Sequence, residues 1–261
     1  MTSPVEVAWD DAAQGYDAYF SPRFAPYLAT ALGTLIGRAS ELPTEGGILV
    51  PCAGPGHELA ALARAFPARQ ILASDLSGEM VRLARQRNAD FANVSVERDD
   101  ATQLRPPTIP IAALYSVFGL QLLPKPADTL GHWLELLAPK GLATIVYWPR
   151  EAGGNGPFAT VHRLLAEWVT VDDAWQRELE ASARSASAHV REDVRIAFPM
   201  QFDDARSLWQ ALTRLGPLRA LGVARGEAFI ARLGARFEAE FPAGEPLSDS
   251  PEARLLLLER D

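Results

Sequence analysis

The stretch Ile48-Leu49-Val50-Pro51-Cys52-Ala53-Gly54-Pro55-Gly56-His57-Glu58-Leu59 decides the fold: an apolar run ends in a glycine turn, and Asp75 follows nineteen residues after Gly56. Strand, tight turn, helix and then a carboxylate about twenty residues on is the order of the nucleotide-cradling half of a doubly wound α/β domain. Gly54 and Gly56 suit a backbone that bends sharply beneath a ligand, where a Cβ would intrude. The helix that follows directs its unpaired N–H groups at the same point. A carboxylate at the tip of the second strand can accept hydrogen bonds from adjacent ribose hydroxyls. Taken alone, these residues also read as a plain β-turn followed by a surface aspartate.

Outward from this turn, segments 47–52, 70–74, 94–97 and 112–117 are short, apolar and bounded by polar, Pro or Gly residues, as buried parallel strands are. A fifth, 143–148, follows Pro139-Lys140-Gly141. The stretches between them, 58–66, 79–87 and 127–137, carry apolar residues at helical spacing. Alternation of this kind predicts a parallel sheet with helices on both faces and a ligand at the carboxyl ends of the strands. Upstream, 8–37 reads as one or two helices rich in aromatics, with Trp9, Tyr16, Tyr19, Phe20, Phe24 and Tyr27. Downstream, Gly153-Gly154-Asn155-Gly156-Pro157 predicts a loop. A helical stretch over 158–190 follows, with Val161, Leu164, Leu165, Trp168 and Val169 on its apolar face, then a strand over 194–202, helix over 203–240 and a last strand over 253–259. The expected organisation is a single domain: a helical lid over 1–40, a cofactor-binding core over 41–150, and substrate-side helices with closing antiparallel strands over 151–261.

Composition narrows the function classes. The 261-residue chain is 48% hydrophobic and 22% charged, and it has no run of the eighteen or so apolar residues needed to span a bilayer. Met1-Thr2-Ser3-Pro4-Val5-Glu6 lacks the basic start and apolar core of a secretory signal, so a cytoplasmic chain without a membrane partner is expected. A net charge of -8 disfavours phosphate backbones and hence a nucleic-acid partner. Cys52 is the only cysteine, and His57, His132, His162 and His189 show no i, i+4 pairing, so neither a disulfide nor a metal site is expected. A small-molecule substrate is expected, and a monomer or homodimer.

Four ordered motifs resemble those of the class I S-adenosylmethionine-dependent methyltransferases, particularly the small-molecule, ubiquinone/menaquinone C-methyltransferase-like branch. Residues 53–58 resemble the first motif, with Ala53, Gly54 and Gly56 at the cofactor. Residues 73–84 resemble the second, in which Asp75 would hold the ribose while Leu76 and Met80 lie against the adenine. Arg98-Asp99-Asp100-Ala101 resembles the third, where Asp100 would accept the adenine amino group beside Ala101. Residues 116–121, with Val117 and Gln121, fit the segment after strand four that faces the methionine end of the cofactor. The resemblance implies a doubly wound, mostly parallel seven-stranded sheet, S-adenosyl-L-methionine as cofactor, and Tyr16 in a lid reaching the methionine carboxylate. It departs at Val50, where many members carry an acid, and at Cys52, where most carry the first glycine.

Methyl transfer is an in-line displacement on a sulfonium, served by alignment and water exclusion, and it requires no catalytic residue. Where a base helps, Gln121, His162, Glu151 and Tyr16 are the candidates. Tyr19, Phe20, Trp148, Phe158 and His162 are the candidate substrate contacts. Each has an ordinary structural alternative: an amphipathic helix capping the sheet for Tyr19 and Phe20, core aromatics for Trp148 and Phe158, an exposed or core histidine for His162. Cys52 reads as a packing residue rather than a reactive thiol, and Arg214, Arg219, Arg225, Arg232 and Arg236 read as a solvated face. A nicotinamide-dependent reductase is disfavoured because its glycine signatures and a Tyr-x-x-x-Lys pair are absent. The expected function is methyl transfer to an O, N or C atom of a small aromatic or partly apolar metabolite. The alternative is a protein of the same fold that binds cofactor or metabolite without transferring a methyl, as a binding module or rearrangement catalyst.

Overall fold

The computed structural model describes residues 4–149, 156–168 and 173–261; Glu151, the Gly153-Gly154-Asn155 part of the expected loop and Val169 lie outside the described residues. In chain order the elements are α1 (Pro4–Tyr19), α2 (Ser21–Gly37), β1 (Gly47–Pro51), α3 (Leu59–Ala65), β2 (Ile71–Asp75), α4 (Gly78–Arg87), β3 (Val94–Arg98), β4 (Ile111–Val117), α5 (Pro126–Glu135) and β5 (Leu137–Tyr147). They continue with α6 (Pro157–Ala166), α7 (Ala174–Ser185), β6 (Ala188–Ala197), β7 (Met200–Phe202), α8 (Ala205–Leu212), α9 (Gly216–Arg225), α10 (Glu227–Glu238), β8 (Leu247–Asp249) and β9 (Glu252–Arg260). Two compact units emerge: a sheet unit of Pro26–Pro149, Asp173–Ile196 and Ala253–Asp261, and a helical unit of Met1–Ala25, Arg150–Asp172 and Ala197–Glu252.

The sheet unit holds seven strands in the order β3-β2-β1-β4-β5-β9-β6. β1 pairs in parallel with β2 and β4, β2 with β3, and β4 with β5, whereas β9 runs antiparallel to β5. The doubly wound, mostly parallel seven-stranded sheet expected from the sequence is therefore present. β1 is central and buried at every position, which is why Ile48, Leu49 and Val50 show no polar alternation. The run Leu255–Leu258 is buried for the same reason, because β9 lies between β5 and β6. The edge strand β6 carries charges instead: Arg191 pairs with Glu41 at 2.6 Å and with Glu259 at 3.0 Å, which discourages further strand pairing. One face of the sheet packs Leu49, Leu114 and Ile145 against Leu130, Trp133 and Leu134 of α5 and Leu179 and Ala183 of α7.

In the helical unit α1 buries Ala8, Ala12 and Ala13, and β7 and β8 form an antiparallel pair. Trp209 of α8 lies so close to α10 that a Cβ at Gly234 would fall 2.5 Å from its Nε1. Arg219 pairs with Asp11 at 2.8 Å and Arg236 with Glu167 at 2.6 Å, so these arginines meet carboxylates of their own unit on a solvated face.

Three expectations need correction. The stretch 158–190 is not one helix: α6 and α7 are separate, and β6 begins at Ala188 after Ser187 turns the chain at φ 53. The expected strand over 194–202 divides between β6 and β7, and β5 starts at Leu137 rather than at residue 143. For β5, β6 and β7, pairing with a strand distant in sequence overrode local periodicity.

Candidate active site

The carboxyl ends of β1, β2, β3 and β4 carry the four motif segments, all within the sheet unit. After β1 the chain closes a turn in which Gly56 N–H donates to the Ala53 carbonyl at 3.0 Å, while Ala53 N–H donates to the Ser74 carbonyl at 2.9 Å. Gly54 and Gly56 take φ +53 and +69, the left-handed region that favours glycine. They differ in surroundings. A Cβ on Gly56 would lie 2.8 Å from Ala84 Cβ, whereas one on Gly54 would meet nothing within 4 Å. Gly56 is thus set by packing, and Gly54 borders open space.

Asp75 ends β2 with both carboxylate oxygens engaged: Oδ2 accepts Gly54 N–H at 2.8 Å and Oδ1 accepts Ser77 N–H at 3.0 Å. The acid expected at a ribose thus also ties the glycine turn to the start of α4. A carboxylate has about four lone-pair sites, so capacity remains for a diol. Ser77 caps α4 by accepting Met80 N–H at 3.1 Å, which fixes the partly buried Leu76 and the buried Met80 beside the strand tip. Asp100 Oδ1 accepts from Thr102 N–H at 2.9 Å and Thr102 Oγ1 at 2.7 Å, closing a short turn over Ala101–Gln103. Ala101 is buried, and its carbonyl accepts the indole N–H of Trp133 at 2.7 Å; His132 Nε2 meets the Leu104 carbonyl at 2.8 Å. Neither α5 side chain was a candidate in the sequence, because a contact across thirty or so residues leaves no local signal.

Cys52 stands at φ 55, a conformation glycine adopts freely and other residues reach at a cost of about 1–2 kcal/mol. The backbone therefore keeps the geometry of a glycine at this point although the side chain is a thiol. That side chain packs on the sheet core and against Gly119, where an added Cβ would lie 2.5 Å from Cys52 Cβ. Burial, with Asp75 and Asp100 nearby, pushes the thiol well above its ordinary range, as suits an inert packing residue. Glu58, at the mouth of α3, is also pushed up by burial, to about 7; its own backbone N–H and Arg87 act in the opposite sense.

Val117 ends β4, and Gln121 follows in a short helical turn over Leu120–Leu122. Gln121 Oε1 is shielded from solvent and has no hydrogen-bond partner among the described residues. Between them Phe118 is held at φ 60 and stacks on Trp148 at 4.1 Å and 7°, with Tyr27 edge-on to both rings. One face of Trp148, a candidate for stacking on substrate, is thus occupied by Phe118.

The remaining candidates belong to the helical unit. Tyr16, Tyr19 and Phe20 form an aromatic cluster with Phe24, Phe158 and Phe202: Tyr16 lies 6.1 Å from Phe20, Tyr19 is 5.0 Å from Phe20 and 6.3 Å from Phe202, and Phe158 is 5.7 Å from Phe202. Phe20 and Phe202 are core residues, 1% and 2% exposed. The Tyr19 hydroxyl is buried without a partner among the described residues, and burial raises its pKa. His162 is exposed on α6. Among the described residues no group of three or more His, Cys, Asp or Glu side chains is placed to hold a metal ion, and no helix is long and apolar enough to cross a membrane.

Residues 48–141 match a family model described as a methyltransferase domain. This core resembles a methyltransferase domain. The span covers the glycine turn, Asp75, Asp100 and Gln121, the segments that carry the motifs. No curated protein matches the chain. Among solved structures, the YcgJ protein of Bacillus subtilis is 17% identical with a TM-score of 0.57, the match covering 89% of this chain and 98% of that one. Geranyl diphosphate C-methyltransferase of Streptomyces coelicolor, solved with S-adenosyl-L-homocysteine, is 10% identical with a TM-score of 0.54, covering 89% of this chain and 76% of that one. The [4+2]-cyclase SpnF is 20% identical with a TM-score of 0.52, covering 87% and 78% respectively. At these identities the likeness is one of fold. The matched family implies a cofactor of the S-adenosylmethionine type, and two features of the residues here fit one: the open space over Gly54 and the amide oxygen of Gln121, which has no partner among the described residues.

Proposed function

We propose that the chain transfers the methyl group of S-adenosyl-L-methionine to a small aromatic or partly apolar metabolite. What carries the reading is the convergence of the glycine turn, Asp75 and the Asp100–Ala101 turn at the ends of adjacent strands of one methyltransferase domain. In this reading Asp75 binds the ribose hydroxyls, Leu76, Met80 and Ala101 flank the adenine, and Asp100 accepts its amino group through Oδ2. Ala53, Gly54 and Gly56 form the floor of the site, while Val117, Gln121 and Tyr16 serve the methionine end. Tyr19, Trp148, Phe158 and His162 contact the acceptor, with Phe20 packed behind Tyr19 in the aromatic cluster rather than exposed to a ligand. Catalysis is alignment and exclusion of water, with Gln121, His162 or Tyr16 assisting where the acceptor must lose a proton. The likeness to the C-methyltransferase-like branch, a cytoplasmic site of action and a monomeric or homodimeric state belong to the same reading.

A second reading, cofactor or metabolite binding without methyl transfer, is favoured by Val50 and Cys52, two departures within the first motif. The [4+2]-cyclase among the structural neighbours shows what else this fold supports. Calorimetry with S-adenosylhomocysteine followed by transfer from radiolabelled S-adenosylmethionine to a metabolite panel separates the two. Binding with transfer supports the first, binding without transfer to any member supports the second, and absence of binding to S-adenosylhomocysteine and to every metabolite of the panel removes both. Asp75→Ala is expected to weaken S-adenosylhomocysteine binding sharply; unchanged affinity refutes the role given to Asp75.

A further inference from the structure

We infer that Asn88, with Arg87 beside it, is a positioning residue that clamps the cofactor turn onto the end of α4. The inference rests on the reading of 53–58 as the cofactor turn. Asn88 follows the last residue of α4 and is 4% exposed. Its Nδ2 donates to the Gly56 carbonyl at 3.0 Å and to the Ala84 carbonyl at 2.8 Å, and Arg87 Nη1 donates to the Pro55 carbonyl. Two successive carbonyls of the turn are thereby held by the last side chain of α4 and the residue that caps it.

The contact is tight. A Cβ on Gly56 would lie 3.1 Å from Asn88 Nδ2 as well as 2.8 Å from Ala84 Cβ, so the turn rests directly on the last turn of α4. The amide can face only one way, because reversing it would set its oxygen against both carbonyls. In that orientation Asn88 Oδ1 is buried with no hydrogen-bond partner among the described residues. A buried polar atom left unpaired is costly and uncommon in native proteins. A residue kept only to fill space would avoid that cost; one kept for its two N–H bonds bears it.

The turn is thus held from two sides, by Asp75 at Gly54 N–H and by α4 at the Pro55 and Gly56 carbonyls. With both in place the backbone is ordered before cofactor arrives. Without the α4 side, ordering must accompany binding and lowers affinity while the sheet still folds.

The test is calorimetric titration of the full chain with S-adenosylhomocysteine, paired with amide hydrogen exchange over 53–58, for wild type, Asn88→Asp and Arg87→Met. Asn88→Asp keeps the shape but replaces the donor with an acceptor, and is expected to weaken binding about tenfold or more. Arg87→Met is expected to weaken it less, and in both variants exchange over 53–58 rises while β1 and β4 stay protected. A purely structural role would lower the melting temperature but leave the affinity of the folded protein and the turn's exchange unchanged, and that result overturns the proposal. Where Asn88→Asp fails to fold, Asn88→Ser with Arg87→Met decides by the same two readouts. Failure of the wild type to bind S-adenosylhomocysteine counts against the cofactor reading itself, and the exchange measurement still decides whether the clamp exists.

Discussion

Replacing Gly54 and Gly56 by alanine, one at a time, separates what the backbone of the turn requires from what its neighbours require. Both residues have positive φ, so each alanine meets a left-handed penalty of about 1–2 kcal/mol, offset by about 0.4–1 kcal/mol from the reduced freedom of the unfolded chain. For Gly54 that is the whole effect on stability, since the new methyl meets nothing within 4 Å. For Gly56 the methyl would come within 2.8 Å of Ala84 Cβ and 2.9 Å of Leu59 Cδ1. Both neighbours are fully buried, so neither can retreat, and overpacking of this kind adds about 1–3 kcal/mol. Gly56→Ala should therefore lose about 1–3 kcal/mol more than Gly54→Ala, whose own loss is about 0–1.6 kcal/mol, measured by urea unfolding followed by circular dichroism. Calorimetry with S-adenosylhomocysteine should show a complementary pattern. At Gly54 the methyl enters the space assigned to the cofactor, so affinity falls about tenfold or more with little loss of stability. Equal stability losses in the two variants refute the packing account of Gly56, and undiminished affinity in Gly54→Ala refutes the placement of the cofactor over the turn.

Two further outcomes follow from the same region. Gly119→Ala should destabilise by about 1–3 kcal/mol because its methyl meets Cys52 Cβ at 2.5 Å, and adding Cys52→Gly should recover most of that loss in urea unfolding; purely additive losses would show that the two residues do not press on each other. Glu58, whose carboxyl is pushed up to about 7 in the folded chain from an ordinary 4.5, holds its proton more tightly folded than unfolded between those values. Its contribution to stability is therefore full below about pH 4.5 and lost as pH rises through about 7, with a slope of at most about 1.4 kcal/mol per pH unit. Glu58→Gln should flatten the dependence of the urea midpoint over that window, and an unaltered profile would locate the titrating group elsewhere.

Sequence alone settled the part of the sheet from β1 to β4 with α3 and α4, because there local chemistry and tertiary demand agree. β1 needed an apolar run buried on both faces, the turn needed glycine at Gly54 and Gly56, and β2 ended in a carboxylate; each is a property of neighbouring residues. The same holds for α3 and α4, whose apolar spacing was legible and whose observed bounds lie close to those expected. Cys52 shows the limit. Its identity argued against a glycine motif, yet the backbone there adopts glycine's conformation, and only packing against Gly119 explains how a thiol is accommodated.

Tertiary structure alone decided what is distant in the chain. Residues 188–197 form β6 because β9, more than fifty residues later, lies beside it, and β7 forms because β8 pairs with it; helical periodicity before them carries no trace of either partner. Asn88 and Trp133 grip the carbonyls of Gly56 and Ala101 across about thirty residues, contacts with no signature in either segment. Tyr19, Phe20 and Phe158 meet in one aromatic cluster with Phe202 because the chain returns to the helical unit after leaving it. Local sequence sets which backbone shapes are cheap, whereas burial and hydrogen-bond satisfaction are settled between segments that meet only when the chain is folded.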